Sequence, residues 1–500
     1  VCSDETVGKK SGHDEIIKSV HGISFPVTSN VEEIKSFLQG SGKQVIFSTY
    51  QSSPIIAQAQ RGNNAKIFDL VISDEAHRCT GEAGSAFTTV LDDTLIKARR
   101  RLFATATPKT YTANLKKSAE ERGVEITGMD DEAVFGKVFY SLPFGEAIKR
   151  ELLTDYQVVI IGVDQPMIAE WIENRELLLT ASGEATDAES LAAQIGLFKA
   201  MKDYDLKRII SFHSRIKRAE IFATDIQNSI DFISKKQRPK GTVWTDFVSG
   251  KMSAHKRKTK LDQLKDLSQG ERGLLSNARC LSEGVDVPAL DGVAFIDPKG
   301  SQVDIIQAVG RAIRLSQEKS VGTIFLPVFI QHGDDVESSI LSSNFKPVWN
   351  VLNALKSHDD VLSVELDQMR TNLGRKYFQG KIIGIPKVIL DLPQTIDKSF
   401  ADSLKTVLVE QTTSSWNFWF GLLEDYVDKE GHAKVPRRHI IKTGLKLGLW
   451  VGVQRKNKDD LSSERKSKLD SLAFDWDPFN SQWEEGFECL ENYVEKEGHA

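Results

Sequence analysis

Short apolar runs alternate with longer polar or amphipathic segments from residue 1 to about residue 330. The runs are rich in β-branched residues, which is typical of strands that are buried on both faces and joined by helices. We therefore predict an α/β fold with a parallel sheet. The predicted strands are Gln44–Ser48, Ile67–Ile72, Arg101–Ala104, Gln157–Ile161, Arg208–Phe212, Val293–Ile296 and Gly322–Leu326.

A charged segment near residues 110–150 separates the first three predicted strands from the other four, and it predicts two α/β lobes at residues 1–150 and 151–335. Residues 336–415 are less periodic, and we predict a helical or irregular connector there. Aromatic and basic residues become dense from Trp416 onward, which marks a third region.

The third region contains an internal repeat. Residues 416–433 and 483–500 are identical at 11 of 18 positions, at a spacing of 67 residues. The match predicts one repeat at 416–478 and the start of a second, truncated repeat at 479–500. Because the chain also begins at Val1 without a methionine, we expect a fragment of a longer protein.

The amino-acid composition excludes several classes of protein. The chain is 40% hydrophobic and 27% charged, which excludes disordered, collagen-like and disulfide-rich classes. Its four cysteines form no Cys-x-x-Cys pair, so no zinc knuckle is expected. No apolar run approaches the roughly 18 residues that span a bilayer, and no secretory signal opens the chain. We expect an intracellular protein without a membrane partner, and the net charge of −5 favours no particular ligand.

Two adjacent carboxylates follow the predicted strand Ile67–Ile72, in Asp74-Glu75-Ala76-His77. At the edge of a sheet, such a pair suits nucleotide hydrolysis: one carboxylate holds a hydrated Mg²⁺ ion, and the other orients or deprotonates the attacking water. We assign the metal to Asp74 and the water to Glu75. The alternative is a solvated acidic turn that caps a helix.

Hydroxyl residues follow the next predicted strand, in Thr105-Ala106-Thr107-Pro108. They could relay the state of a nucleotide between the lobes, or they could form a turn that ends at the proline. The segment Ser282–Pro288 is a turn punctuated by glycine and proline, and its carboxylate Asp286 could meet a ribose or a phosphate backbone.

A short segment near position 310 contains the polar residues Gln307, Arg311 and Arg314 together with Gly310. The i, i+3 spacing predicts that Arg311 and Arg314 share one helical face, where two guanidinium groups can clamp phosphate charge. Arginine supplied by a second lobe stabilises the transition state of γ-phosphoryl transfer. The alternative is a surface helix with two ordinary arginines.

The order of these segments resembles that of superfamily-two helicases and translocases of the DEAD/DEAH-box kind, over essentially all of residues 1–330. The matching segments are Ser48–Gln51 (the motif Ic region), Asp74–His77 (motif II), Thr105–Thr107 (motif III), Ser211–Arg215 (motif IV), Gly284–Pro288 (motif V) and Gln307–Arg314 (motif VI). The variants at 74–81 and 283–288 look closest to the restriction-type translocases and the predicted helicases near them.

The resemblance implies two RecA-like lobes, the first one truncated, which bind ATP and Mg²⁺ in a cleft and nucleic acid across their tops. It implies catalytic roles for Asp74, Glu75, Gln307, Arg311 and Arg314, and nucleotide contacts for His77, Gly284, Asp286 and Gly310. It also implies that Thr105 and Thr107 couple the lobes and that Thr49, Tyr50, Gln51 and Arg215 contact nucleic acid.

The sequence departs from the family at the phosphate-binding loop. Each of its five Gly-Lys pairs is followed by Lys, Gln, Val, Met or Ile, never by the Ser or Thr that a Walker A loop requires. Family order places that loop before Val1. We therefore expect no substantial ATPase activity from these 500 residues, and ATPase activity from the parent protein.

Two basic stretches are candidates for nucleic-acid binding. From Lys235 to Lys260, nine Lys or Arg residues accompany the single acid Asp246, although a solvated surface loop explains this run equally well. From Lys434 to Lys458 there are eight Lys or Arg residues and no acid, with Trp450 among them. The candidate contacts in this second stretch are Lys434, Arg437, Arg438 and Arg455.

Residues 416–478 resemble a helicase-associated domain, a small all-α module found in tandem behind such motors. The matching residues include Trp416, Gly431–Ala433, Leu447–Trp450 and Phe474–Trp476. We interpret Trp416, Trp450 and Trp476 as core anchors, and His432 and His499 as helix-end or packing residues rather than metal ligands.

The leading hypothesis is an enzyme that hydrolyses ATP to move along or unwind nucleic acid, with DNA favoured over RNA. One alternative is a protein whose ATP state only switches its affinity for nucleic acid, without unwinding. Another is the motor subunit of a restriction-type nuclease.

Overall fold

The computed structural model describes residues 28–61, 66–82, 85–111, 126–175, 188–230, 238–278, 290–297, 301–316, 319–330, 339–341, 343–375, 382, 384–442 and 444–499. The chain divides into two compact units. The first contains residues up to 142 together with 250–262 and 302–306, and the second contains 143–249, 263–301 and 307–500. Among the described helices, none is long and apolar enough to cross a lipid bilayer.

The described strands, in chain order, are β1 Val71–Ser73, β2 Gly81–Glu82, β3 Arg101–Phe103, β4 Ile126–Thr127, β5 Asp155–Asp164, β6 Arg208–His213, β7 Thr242–Ser249, β8 Glu271–Ala278, β9 Gly292–Asp297, β10 Val321–Ile330 and β11 Val388–Asp391.

The described α-helices are α1 Val31–Gln39, α2 Ser53–Ala59, α3 Glu132–Phe135, α4 Phe144–Lys149, α5 Gln165–Arg175, α6 Ala188–Asp203, α7 Ile216–Ser229, α8 Ala254–Lys265, α9 Gln302–Ala312, α10 Lys346–Lys356, α11 Asp360–Arg375, α12 Lys398–Thr412, α13 Ser415–Glu430, α14 Leu447–Lys456, α15 Ser463–Ser471 and α16 Pro478–Glu497.

In the first unit, β1 and β3 pair in parallel, with Ile72 opposite Leu102. A small core beside this pair contains Ile56, Cys79 and Val90. The predicted strand Gln44–Ser48 is wrong, because these residues form no strand in the structure. The predicted strand Ile67–Ile72 is largely wrong as well, because only Val71–Ser73 pairs as a strand, with an isolated bridge at Phe68.

In the second unit, seven parallel strands form one sheet in the order β11-β5-β10-β9-β6-β8-β7. The α/β prediction is therefore confirmed, and the strands predicted near residues 157, 208, 293 and 322 are all present. Helices α6 and α7 pack on the sheet through buried residues that include Phe198, Met201, Phe222 and Ile226. Removal of such side chains from water is the main stabilising contribution to this unit.

Three strands of this sheet are not among those that the sequence predicts: β7, β8 and β11. The first two carry charged and hydroxyl residues among their apolar ones, which hides a strand pattern. Because β7 lies inside the basic run Lys235–Lys260, that run is not one continuous surface loop. β11 pairs with β5 and adds part of the predicted connector to the sheet.

The third region folds as a small all-α module, as predicted. Helices α13, α14 and α15 enclose a core that includes Phe420, Leu423, Leu447 and Leu469. Trp416 is buried at 6% exposure, which confirms it as a core anchor, and its indole nitrogen donates a hydrogen bond to Gln454. Trp450 and Trp476 pack against the same core and are partly buried.

The two repeat copies share one helix ending. Gly431 and Gly498 both adopt φ 76°, and their amides donate to the carbonyls of Val427 and Val494. Glycine tolerates this left-handed conformation, which ends a helix. His432 and His499 directly follow the two glycines, so the prediction of a helix-end position for both histidines is confirmed.

Candidate functional site

The acid pair lies at the carboxyl end of β1. Because β1 and β3 are parallel neighbours, their carboxyl ends lie at one edge, and Asp74 and Thr105 therefore leave the strands side by side. The chain turns sharply here: the amide of Ala76 donates to the carbonyl of Ala104 at 2.9 Å. Glu75 adopts φ 50°, a left-handed conformation that costs roughly 1–2 kcal/mol for a residue with a side chain.

His77 connects the acid pair to the hydroxyl residues of the neighbouring strand. Its Nδ1 lies 3.0 Å from the hydroxyl oxygen of Thr105 and 3.3 Å from that of Thr107. The same nitrogen is 3.3 Å from Oε2 of Glu75. His77 and Thr107 are buried, whereas Thr105 and Glu75 are partly exposed, so these polar contacts lie partly away from bulk water, where electrostatic interactions are stronger. The structure thus unites four residues that the sequence placed in two separate motifs.

Tyr50 forms a hydrogen bond with the backbone of the acid pair. Its hydroxyl donates to the backbone carbonyl of Asp74, and its ring lies 6.3 Å from that of Phe87. Burial is the main cause that raises the pKa of Tyr50, with Cys79 as a further cause, so the phenol stays protonated as a donor. The family resemblance implies a contact of Tyr50 with nucleic acid, whereas no motif in the sequence indicates its contact with Asp74.

The side chains of Thr49 and Gln51, which flank Tyr50, are exposed. Thr49 donates its hydroxyl hydrogen to Ser52 at 3.0 Å. Both side chains therefore remain candidates for contact with nucleic acid.

The arginine cluster lies in the second unit, at the end of α9. This helix ends at Ala312, so the prediction that Arg311 and Arg314 share one helical face is wrong. Arg314 instead forms an antiparallel bridge with Leu153. Arg311 is buried at 5% exposure, whereas the side chain of Arg314 is exposed.

Gln307 and Gly310 lie on α9 ahead of these arginines. A methyl group added at Gly310 would meet no atom within 4 Å among the described residues. Packing against the described residues therefore does not require glycine at position 310. A ligand that approached the backbone closely at this position would require it. Gly284 and Asp286, assigned to the nucleotide by the resemblance, lie outside the described residues.

The segment Ser211–Arg215 ends β6 and begins α7. Arg215 is exposed immediately before that helix. The neighbouring carboxylate of Asp297 accepts hydrogen bonds from Ser214 and, at 2.8 Å, from Arg218. Burial lowers the pKa of His213 to about 4, and its Nε2 lies 3.0 Å from the hydroxyl oxygen of Ser211.

The candidate basic residues of the helical module differ in their exposure and in the contacts that their side chains make within the protein. Arg437 and Arg438 are exposed. Lys434 forms an ion pair with Glu485, which raises the pKa of Lys434. Arg455 donates to the carbonyl of Asp475 at 2.7 Å and lies 5.5 Å from the ring of Phe474. Arg455 thus contributes to the module's own packing.

Three family models match successive parts of the chain. Residues 8–110 match "Type III restriction enzyme, res subunit", residues 198–316 match "Helicase conserved C-terminal domain", and residues 413–477 match "Helicase associated domain". A parallel-sheet α/β fold with these matches defines the superfamily-two helicase class. Within that class, the three matches support a restriction-type helicase that carries a helicase-associated domain.

Two viral proteins named as helicases are similar to this chain in sequence. The probable helicase A859L of African swine fever virus (isolate Pig/Kenya/KEN-50/1950) is 26% identical over 356 residues, which cover 70% of this chain and 35% of the relative. The putative helicase 22 of Sulfolobus islandicus filamentous virus is 23% identical, over 64% of this chain and 53% of the relative. The chain therefore spans about a third to a half of the length of these relatives.

Among solved structures, the ATP-dependent Type ISP restriction-modification enzyme LlaBIII bound to DNA is similar, with a TM-score of 0.58 and 26% identity. The match covers 86% of this chain and 32% of that enzyme.

Proposed function

We propose that the complete protein containing these residues is a nucleic-acid-dependent ATPase that moves along or opens nucleic acid, preferably DNA. The observation that carries the proposal is the junction at His77, which brings Glu75 within hydrogen-bond distance of the residue that also contacts Thr105 and Thr107. An acid pair that only capped a helix would not need this buried connection to a second strand.

The acid pair fits a hydrated magnesium ion. Mg²⁺ prefers oxygen ligands, keeps several waters and is typically held by one or two carboxylates together with substrate phosphates. Asp74 is exposed directly after β1, and its backbone is held by Tyr50, so its carboxylate is accessible on a fixed support. Asp74 would hold the ion, which neutralises phosphate charge, and Glu75 would orient or deprotonate the attacking water.

The arginine cluster would stabilise the charge of the transferring phosphoryl group. Guanidinium groups suit this role because they stay charged and donate to two phosphate oxygens at once. Arg314, whose side chain is exposed, is the better candidate for direct contact, and buried Arg311 would support it. Gly310 offers space beside them for an incoming ligand.

The nucleic-acid contacts would involve exposed groups on several elements: Thr49 and Gln51, Arg215, and the pair Arg437 and Arg438. Arg437 and Arg438 are stronger candidates than Arg455, because the guanidinium group of Arg455 is already engaged with Asp475 and Phe474. If these arginines contact phosphates, the affinity for nucleic acid must fall steeply as salt concentration rises.

A second candidate function is the motor of a restriction-type enzyme. The similarity to LlaBIII over 86% of this chain favours it.

The experiment uses the complete protein, wild type and Glu75→Gln, with Glu132→Gln as a matched control on an exposed acid of the first unit. We expect wild-type ATP turnover to be stimulated by DNA. We expect Glu75→Gln to lose about 10²- to 10⁴-fold in turnover, as is typical when a general base is removed, while ATP binding persists. Unchanged turnover in Glu75→Gln would refute the role of the acid pair.

Two further assays separate the kinds of movement. A helicase displaces the complementary strand of a partial duplex. A translocase leaves that duplex intact but displaces a third strand from a triplex. Displacement in neither assay, despite ATP-dependent binding of DNA, would favour the protein whose ATP state only switches its affinity.

A further inference from the structure

At the end of helix α9, three consecutive backbone carbonyls all accept hydrogen bonds from groups outside the helix. The carbonyls belong to Ala312, Ile313 and Arg314. The last carbonyls of an α-helix have no partner within the helix, so such ends normally fray or face water. Here the fixed segment is the one that carries Arg314.

Lys319 supplies the first of these contacts. Its ammonium group donates to the carbonyl of Ala312 and, at 2.8 Å, to that of Leu290. A positive charge at this position complements the negative end of the helix dipole. Burial lowers the pKa of Lys319 to about 8, and the nearby carboxylate of Asp291 opposes that shift. Lys319 thus remains largely protonated at neutral pH despite its half-buried position.

Thr154 supplies the other two contacts. Its amide donates to the carbonyl of Ile313 at 2.8 Å, and its hydroxyl donates to the carbonyl of Arg314 at 3.3 Å. Thr154 is 6% exposed and directly precedes β5, an interior strand of the sheet that pairs with both β11 and β10. The backbone of Arg314 is therefore attached to a rigid element of the fold.

The start of strand β10 packs against the end of helix α9. A methyl group added at Gly322 would lie 2.4 Å from the carbonyl oxygen of Ala312, far below contact distance. The first residues of β10 therefore pass directly against the end of α9. With Lys319 and Thr154, this contact leaves the chain at 312–314 little freedom to move.

We propose that Lys319 and Thr154 are positioning residues that hold Arg314 for phosphoryl transfer, an inference that rests on the ATPase function proposed above. Neither residue belongs to a helicase motif in the sequence. They act through the backbone of Arg314, whose side chain is exposed while its main chain is fixed. Such support lowers the barrier because the charge that stabilises the transition state is already in place when the reaction occurs.

The test measures ATP turnover of the complete protein in the presence of DNA. Lys319→Met removes the charge and both hydrogen bonds, Lys319→Arg keeps the charge, and Thr154→Val and Thr154→Ser differ in the hydroxyl that reaches Arg314. Lys202→Met serves as a control, because Lys202 is a half-exposed lysine of the same unit that pairs only weakly with Asp203 at 3.8 Å. Thermal melts accompany every variant.

We expect Lys319→Met to lower kcat by up to about 10²-fold, the loss typical of a misplaced catalytic group. KM for ATP should change less than about twofold, because the lost interaction is made in the transition state. Thr154→Val should lower kcat by about fivefold, as expected for one hydrogen bond of about 1 kcal/mol. Lys319→Arg and Thr154→Ser should recover most of kcat, and Lys202→Met should match wild type.

A double-mutant cycle separates positioning from general stability. If Lys319 acts through Arg314, Lys319→Met should cause no further loss of kcat in an Arg314→Ala background. Equal losses in both backgrounds, or full kcat in both Lys319→Met and Thr154→Val, would overturn the positioning roles alone. Absence of ATP turnover in the wild type would overturn the proposed function and with it this inference, whereas full turnover in Arg314→Ala would overturn the role of Arg314 and this inference alone.

Discussion

The imidazole Nδ1 of His77 lies 3.0 Å from the hydroxyl oxygen of Thr105, although 28 residues separate them in sequence. This contact joins the segment that carries the acid pair to the segment that follows the neighbouring strand. The contact therefore connects the acid pair to the hydroxyl residues of the neighbouring strand.

The first prediction concerns this hydrogen bond. We expect Thr105→Val in the complete protein to reduce the DNA-stimulated part of ATP turnover by about fivefold, because the loss of one hydrogen bond of about 1 kcal/mol has that effect on a rate. Thr105→Ser should retain stimulation. Steady-state ATPase assays with and without DNA measure the difference.

Thr94→Val is the matched control, because Thr94 is an exposed threonine of the same unit whose hydroxyl bonds to Asp92 at 2.6 Å. Thr94→Val loses the hydroxyl bond to Asp92, whereas Thr105→Val loses the contact with His77 and the bond that its hydroxyl accepts from the amide of Thr107 at 3.1 Å. Equal effects of Thr94→Val and Thr105→Val on stimulation would show that the contact with His77 has no special role.

The second prediction concerns the 500 residues themselves. They contain no Gly-Lys-Ser or Gly-Lys-Thr sequence, and phosphates of a nucleoside triphosphate are normally cradled by a loop that ends in one of these. We therefore expect the purified chain to hydrolyse ATP at background rates even with DNA present. Turnover comparable to that of the complete protein would contradict the assignment of a missing phosphate loop.

The third prediction concerns the crossing of helices α11 and α13. A methyl group at Gly374 would lie 2.0 Å from the carbonyl oxygen of Phe418, and one at Gly421 would lie 2.0 Å from that of Thr371. The two backbones thus touch at both glycines. We expect Gly421→Ala to lower the free energy of unfolding by about 1–3 kcal/mol, as is typical of overpacking. Tryptophan fluorescence during urea unfolding reports this transition.

The control for that variant is Gly452→Ala in helix α14, where a methyl group meets no atom within 4 Å among the described residues. Alanine favours the helix over glycine by up to about 1 kcal/mol, so this variant should be more stable than wild type. If both substitutions shift the transition in the same direction, close packing of α11 and α13 is not what requires glycine at 421.

The fourth prediction concerns pH. Burial is the main cause that lowers the pKa of His213 to about 4, so the folded protein favours the neutral imidazole. The unfolded chain binds a proton near pH 6.5, and the stability contributed by His213 is therefore fully present above that pH and lost as pH falls toward 4. We expect this residue to account for about 2 kcal/mol of lost stability between pH 7 and pH 5.

Urea unfolding of wild type and His213→Gln at the two pH values measures this contribution. The variant should lose less stability on acidification than wild type, whereas His255→Gln, at an exposed histidine, should behave like wild type. Parallel losses in wild type and His213→Gln would show that His213 is not a source of the acid sensitivity.

The sequence predicted most of what repeats or alternates along the chain. The strands of the second unit were recognised because a strand buried on both faces must be apolar throughout, as in β5 and β10. The helical repeat was recognised because Trp416 and Gly431 recur at one spacing in Trp483 and Gly498. The acid pair was recognised because phosphoryl transfer requires adjacent carboxylates of this kind.

Tertiary structure decided what depends on contacts between distant segments. The strand predicted at Gln44–Ser48 is absent because an apolar run becomes a strand only beside a partner, and the described residues offer it none. The end of α9 at Ala312, and hence the separation of Arg311 from Arg314, lies where Thr154 and Lys319 donate to the backbone from outside the helix. Local sequence fixed which groups can do chemistry, whereas their placement required hydrogen bonds and packing that no periodicity along the chain can encode.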